Sequence, residues 1–144
     1  AKIMLHPAAR FIGTMNYGYA GTKELNEALV SRFMVIDMPA QNHDTLQKVF
    51  HDFFPDGKED AMEQLIGLFL DLQLKAQNGE ISTKALDLRG MLAAVKTIRC
   101  GLSPALAVRM GIVNKSFDAF EKEIIDDVVM TRIPEDWTEA DIFA

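Results

Sequence analysis

Two patterns of apolar and polar positions follow one another along the chain. Residues 9–15 and 33–38 are short apolar runs, which are consistent with buried parallel strands. Between them, residues 24–32 place apolar side chains at helical spacing, after a turn-rich stretch at residues 16–22. The order of strand, helix and strand predicts an α/β start over residues 1–39.

From about residue 40 onward the pattern indicates helices alone. Ser82 is expected to cap the third helix, and Pro104 to occupy the first position of the fourth. Residues 133–144 are acidic and are predicted to form a loose tail after a helical domain over residues 40–132. The five helices are expected at about residues 44–54, 58–77, 82–101, from 103, and 117–131.

The predicted fold is therefore mainly α: an α/β remnant of two core strands and a short helix, followed by an all-α helical bundle. Apolar spacing indicates which faces of the helices are buried. The expected inward positions are Leu46, Val49, Phe50 and Phe53 in the first helix, Leu65, Leu68, Phe69 and Leu72 in the second, and Phe117, Phe120, Ile124 and Val128 in the fifth.

The composition narrows the classes of function. The chain has 144 residues, 49% apolar and 25% charged, which suits a globular protein with a core. A net charge of −6 disfavours a nucleic-acid partner. Charged residues break every apolar run well short of about 18 residues, so no membrane partner is expected and the cytoplasm is the default location. The single cysteine, Cys100, is expected to be a small buried side chain.

The motifs of a self-contained catalytic site are missing from the sequence. There is no G-x-x-x-x-G-K-[ST] phosphate loop, and residues 21–23 (Gly-Thr-Lys) are only a fragment of one. No metal-ligand spacing occurs among the histidines and the cysteine, so no metal site is predicted. Asn16 stands at the carboxyl end of the first predicted strand, where open α/β folds place groups that contact ligands. A turn-forming role is the other interpretation of this amide.

Several stretches resemble one ATPase family in order and spacing. Residues 11–16 (FIGTMN) look like a strand ending in T-x-N, and residues 24–33 (ELNEALVSRF) look like the helix that follows it. Residues 88–95 (LRGMLAAV) and 101–104 (GLSP) resemble the helical lid. Over residues 6–115 the chain is similar to the MoxR-like branch of AAA+ ATPases, including the CbbQ and NorQ type and, more distantly, the dynein-related group.

The resemblance assigns catalytic roles to two residues. Asn16 matches sensor 1, the amide that lies beside the γ-phosphate and helps to orient the attacking water. Arg32 matches the arginine finger, which acts on the nucleotide of a neighbouring subunit because a guanidinium neutralises developing charge. The alternative for Arg32 is an arginine at a helix C-terminus that binds the last carbonyl groups.

A third position is assigned to nucleotide binding. Arg89 matches sensor 2, and Lys84 in the Ser-Thr-Lys of residues 82–84 competes for the same role. Five residues separate them, about 140° around one helix, so both should not face the same phosphate. The distance from Arg89 to residues 101–104 favours Arg89.

The function that the resemblance implies is that of a longer parent protein. It would bind ATP with Mg²⁺, form a homo-oligomeric ring and act as a chaperone that remodels or matures a client protein; GTP is used by a relative in the dynein-related group. Walker A and Walker B would lie before residue 1, so this chain alone should bind no cofactor and be inactive. Residues 1–39 would lack the neighbouring phosphate-loop strand, and we expect them to be flexible, paired with each other, or exchanged with another copy.

A helical protein-interaction module without a nucleotide role is the alternative. The helical pattern after residue 40 supports it. The occurrence of Asn16, Arg32 and Arg89 together favours the ATPase fragment, because a plain interaction domain has no need of all three.

Overall fold

The computed structural model describes residues 3–15 and 26–144, and the chain divides into two units, Ala1–Pro39 and Ala40–Ala144. In the described part of the first unit, one short helix is present, α1 (Glu27–Val30). The Asn26 side chain begins this helix by accepting a hydrogen bond from the backbone N–H of Ala28.

The predicted α/β start is wrong for the part of the chain that the structure describes. Residues 9–15 and 33–38 form no strand there, and their side chains are exposed. An apolar run expresses a preference for burial, but a strand exists only where a neighbouring backbone completes its hydrogen bonds. No such neighbour is found among the described residues, so the runs are extended or bent without a sheet.

The second unit is a bundle of helices. The helices are α2 (His43–Phe53), α3 (Glu59–Gln77), α4 (Leu88–Ile98), α5 (Pro104–Gly111), α6 (Ala119–Arg132) and α7 (Glu139–Ile142), with short 3-10 helices at Thr83–Ala85 and Val113–Lys115. Helix α4 packs against α5, α3 against α6 and α2, and α5 against α6. No helix in the described residues is both long and apolar enough to cross a lipid bilayer.

Three of these helices begin at a side chain that caps their free N–H groups. Asn42, Asp87 and Asp118 accept from the backbone N–H of the residue three positions later. The third predicted helix is therefore shorter than expected. Thr83–Ala85 form a 3-10 helix instead, and α4 begins only at Leu88. The Ser82 side chain caps no helix, and its backbone N–H donates to Glu121.

The core lies between α2, α3, α4, α5 and α6 and is continuous. The predicted inward face of α3 is buried throughout, as are Leu46 and Phe50 of α2. Phe53 is half exposed, and Cys100 is exposed because it follows the end of α4 instead of lying on its inner face. The prediction of a buried cysteine is wrong.

The inward face of α6 follows the prediction in part. Val128 is buried as predicted, and Ile124 is half-buried and packs against the core. Phe117 and Phe120 are instead 90% and 71% exposed, and Phe117 lies before the helix, which begins after the Asp118 cap.

The C-terminal residues are part of the core and not a loose tail. Ile142 and Phe143 are buried, and Phe143 forms an isolated antiparallel bridge with Gly57. The backbone N–H of Lys58 donates to the Ile142 carbonyl at 2.8 Å. The prediction of a loose tail rested on the acidic composition of the segment and gave no weight to its apolar residues. Their burial stabilises this segment.

Candidate functional site

The first turn of α4 carries the predicted nucleotide contact. Asp87 begins the helix, and its Oδ1 accepts from the backbone N–H of Gly90 at 3.0 Å. Its second oxygen, Oδ2, accepts from the ammonium of Lys115 in the 3-10 helix that follows α5. Partial burial raises the pKa of Asp87, but the hydrogen bonds from Lys115 and Gly90 lower it more, so the carboxylate is held ionised.

Gly90 lets this turn pack closely against the end of α5. A Cβ atom at Gly90 would lie 2.5 Å from the carbonyl oxygen of Gly111 and would also overlap the Lys115 ammonium. A Cβ at Gly111 would lie 2.6 Å from the Gly90 carbonyl oxygen. Only glycine allows two backbones to approach so closely. The position of the α4 N-terminus is therefore fixed by backbone contact as well as by the Asp87 cap.

Arg89 lies between these two held residues, and its side chain is exposed. Within residues 3–15 and 26–144 its guanidinium has no carboxylate within ion-pair distance and no recorded hydrogen bond. Every other arginine of the second unit pairs with a carboxylate: Arg99 with Asp56, Arg109 with Asp126 and Arg132 with Asp71. Arg89 is thus the arginine of this unit that is available to an external anion.

Lys84 lies in the 3-10 helix Thr83–Ala85, outside α4. The expected 140° separation from Arg89 assumed one continuous helix and therefore does not apply. Close to Lys84 along the chain, the backbone N–H of Ser82 donates to the carboxylate of Glu121, which also accepts from the buried Ser116 hydroxyl. These contacts join the 3-10 helix to the first turn of α6.

The two predicted catalytic residues belong to the first unit. Asn16 lies outside the described residues. Arg32 is exposed just after α1, and its Nη1 donates to the carbonyl oxygen of Ala28. This contact is the helix C-terminal arrangement that the sequence offered as the alternative to an arginine finger. Arg32 belongs to the first unit and Arg89 to the second.

Asp87 and Lys115 were missed by the sequence reasoning. An aspartate three residues before a glycine, at the start of an apolar repeat, is a recognisable cap, so Asp87 could have been found. The pairing with Lys115 spans 28 positions and depends on how α4 and α5 pack. No local pattern reports such a contact.

Arg89 offers a cation of the kind that binds phosphate oxygens. The described residues contain no group of three or more histidine, cysteine or acidic side chains placed to hold a metal ion. A cavity of about 420 Å³ lies at the start of α3, lined in part by Lys58, Trp137 and Asp141, and contains none of the predicted site residues.

Comparison with known proteins gives relatives without an assigned function. The chain is 32% identical to the uncharacterized protein YojN of Bacillus subtilis over 120 residues, which are 83% of this chain and 39% of YojN. It is 31% identical to an uncharacterized Staphylococcus aureus protein over 125 residues, 85% of this chain and 46% of that protein. The chain therefore spans less than half the length of these relatives.

The other two comparisons found nothing. No protein-family model matches the chain, and no solved structure matches it.

Proposed function

We propose that this chain is the sensor and lid part of a MoxR-like AAA+ ATPase. The parent protein couples ATP binding and hydrolysis to the remodelling or maturation of a client protein. It works in the cytoplasm as a homo-oligomeric ring. The phosphate loop and the Mg²⁺ ligands come from residues outside this chain.

The observation that carries the proposal is the state of Arg89. It matches sensor 2 in the family pattern, and it is the arginine of the helical unit without a carboxylate partner in the described residues. An exposed arginine held at the start of a fixed helix suits the recognition of a phosphate group. Lys84 is the weaker candidate, because it lies in the 3-10 helix before α4 and outside the capped first turn that carries Arg89.

Exposed apolar side chains in the first unit also support the proposal. Met34, Ile36 and Met38 are each more than three-quarters exposed. Covering such side chains with protein atoms is favourable because it removes apolar surface from water. In the proposed parent, residues outside this chain supply that cover.

Each proposed residue has one task. Bound ATP with Mg²⁺ supplies the phosphoryl group and neutralises its charge. Arg89 binds phosphate oxygens, and the amide of Asn16 orients the attacking water. Arg32 releases the Ala28 carbonyl and stabilises charge on the nucleotide of the neighbouring subunit.

The test is ATP hydrolysis by the complete protein encoded by the gene. R32A should lower kcat by about 10³-fold or more, the effect expected of an arginine finger, with ATP binding retained. R89A should weaken ATP binding by about 10- to 100-fold, as for the loss of a charged hydrogen bond. GTP is measured in parallel, since the base remains to be assigned.

The matched control is K48A, which removes an exposed cation of α2 that has no ion pair in the described residues. K48A should leave both kcat and the affinity for ATP unchanged. A complete protein that neither binds nor hydrolyses ATP or GTP contradicts the proposal.

A helical protein-interaction module is the second candidate. The exposed rings of Phe117 and Phe120 favour it, because two such side chains flank one capping residue, Asp118. Under this function, R89A and R32A would change neither the binding nor the hydrolysis of nucleotide. The double variant F117A/F120A would instead weaken binding to a partner protein.

A further inference from the structure

Three residues from two elements meet at the start of α4. The Asp87 carboxylate accepts from the Gly90 N–H and from the Lys115 ammonium. The Lys115 ammonium also lies directly over Gly90, in the space that a Cβ would occupy. The 3-10 helix that carries Lys115 is thereby attached to the first turn of α4.

We propose that Asp87 and Lys115 are positioning residues for Arg89, and that their pairing holds the guanidinium available to a nucleotide phosphate. This inference rests on the proposed function. It goes further by assigning to two residues outside the family pattern the task of presenting the phosphate-binding arginine.

The geometry gives two reasons. First, Arg89 lies in the first turn of α4, two residues after Asp87 and directly before Gly90, so the cap and the close packing at Gly90 restrict its backbone. Less backbone entropy is then lost when the guanidinium binds phosphate. A cap alone would fix the helix start, but the Lys115 contact also ties it to the end of α5.

The second reason is electrostatic. A free Asp87 carboxylate, two residues before Arg89 in the same helix turn, would attract the guanidinium and repel an incoming phosphate. Lys115 neutralises that carboxylate and occupies its outer oxygen. The side chain of Asp87 is 31% exposed and that of Lys115 is 39% exposed, so the pair is close enough to solvent to affect an incoming anion.

The experiment is steady-state ATP hydrolysis by the complete protein. D87S keeps a capping side chain and removes the ion pair. K115M removes the ion pair and leaves the cap, and K115R restores the charge. We expect D87S and K115M to raise KM for ATP by about 3- to 10-fold, the range of a direct coupling, with a smaller change in kcat and partial recovery in K115R.

The double variant D87S/R89A separates positioning from folding. If Asp87 acts through Arg89, D87S has no further effect on KM once Arg89 is removed. The matched control is D118S, which changes the equivalent cap of α6, where no ion pair is present in the described residues. It should leave KM unchanged. Should D87S fold poorly, K115M and K115R give the same test with the cap intact.

The outcomes distinguish the two proposals. An equal rise in KM for D118S, or an additive effect of D87S in the R89A background, overturns the positioning role while the ATPase stands. Hydrolysis that is insensitive to R89A overturns it as well. A wild-type protein with no nucleotide binding or hydrolysis overturns the proposed function, and this inference with it.

Discussion

Gly90 and Gly111 meet backbone to backbone where the first turn of α4 packs against the end of α5. A Cβ on either residue would come within 2.6 Å of the carbonyl oxygen of the other. The same contact lies beside the Asp87–Lys115 ion pair. The stability of the helical unit and the position of Arg89 therefore both depend on the packing of the first turn of α4 against the end of α5.

Alanine at Gly90 is the first test of this packing. Alanine favours helices over glycine by about 1 kcal/mol, so an open site would gain stability. Here the new methyl group would press on the Gly111 carbonyl, which is backbone and gives way poorly. We expect G90A to lower the free energy of unfolding by about 1–3 kcal/mol, measured by urea denaturation.

The matched control is G67A in α3. Its Cβ would meet only the end of the Arg132 side chain, which can move. G67A should therefore be much less destabilising than G90A. Equal losses for the two variants would mean that the glycine contact has no special role.

The sequence predicted the helical unit well because its signals are local. The buried face of α3 follows from the spacing of Leu65, Leu68 and Phe69, and Pro104 marks the start of α5 as expected. For α6 the prediction is right for Val128, which is buried, and wrong for Phe117 and Phe120, which are exposed. Phe117 precedes the Asp118 cap and is not part of the helix.

The rest depends on contacts between distant residues. Strands at residues 9–15 and 33–38 were expected from apolar runs, yet pairing needs a partner that the run itself does not contain. The Lys115 partner of Asp87 and the burial of Phe143 likewise arise from packing. Arg89 was predicted from a resemblance, and its lack of a carboxylate partner in the described part of the chain could be known only from the structure.

Phe143 should contribute strongly to stability although it is the penultimate residue. It is 7% exposed, packs beside Phe54 and lies under the Arg99 guanidinium, 4.3 Å from its ring centroid. F143A should lower the free energy of unfolding by about 3–5 kcal/mol, as for a buried phenylalanine elsewhere. The control F120A removes a ring that is 71% exposed and should change stability by about 0.5 kcal/mol or less. A small effect of F143A would instead support the predicted loose tail at residues 133–144.

Glu121 should make the stability of the helical unit depend on pH in the acidic range, because its carboxylate holds Ser82, at the start of the 3-10 helix Thr83–Ala85. Burial raises the pKa of Glu121, but hydrogen bonds from Ser116 and Ser82 lower it more, to below its usual value of 4.5. Because the folded pKa is the lower one, its contribution is complete above pH 4.5 and is lost as the pH falls through the folded pKa. E121A also leaves the buried Ser116 hydroxyl without its acceptor, a loss of about 1–3 kcal/mol at neutral pH.

The control for Glu121 is E123A, which removes an exposed carboxylate from the same helix. It should be nearly neutral in urea denaturation at pH 7. At pH 3 the difference between E121A and wild type should shrink. A difference that does not depend on pH would contradict the ionised state of Glu121.

His43 gives the second pH dependence, with the opposite sign. Its Nε2 lies 2.8 Å from Glu63 Oε2, joining the start of α2 to α3. This hydrogen bond, followed by the charge of Glu63, raises the pKa of His43 above its usual value of 6.5. A raised folded pKa means that the stabilisation is complete below pH 6.5 and is lost as the pH rises through the folded value.

The measurement compares melting temperatures at pH 6 and pH 8 for the wild type, H43Q and H51Q. H43Q should be less stable than the wild type at pH 6, and this difference should shrink at pH 8. H51Q removes a histidine of the same helix that has no carboxylate within ion-pair distance in the described residues, and should keep the wild-type change between the two pH values. NMR titration of the His43 ring checks the cause directly, because the E63Q variant should lower its pKa toward 6.5. An unchanged ring titration in E63Q would show that the α2–α3 contact is not the source of the effect.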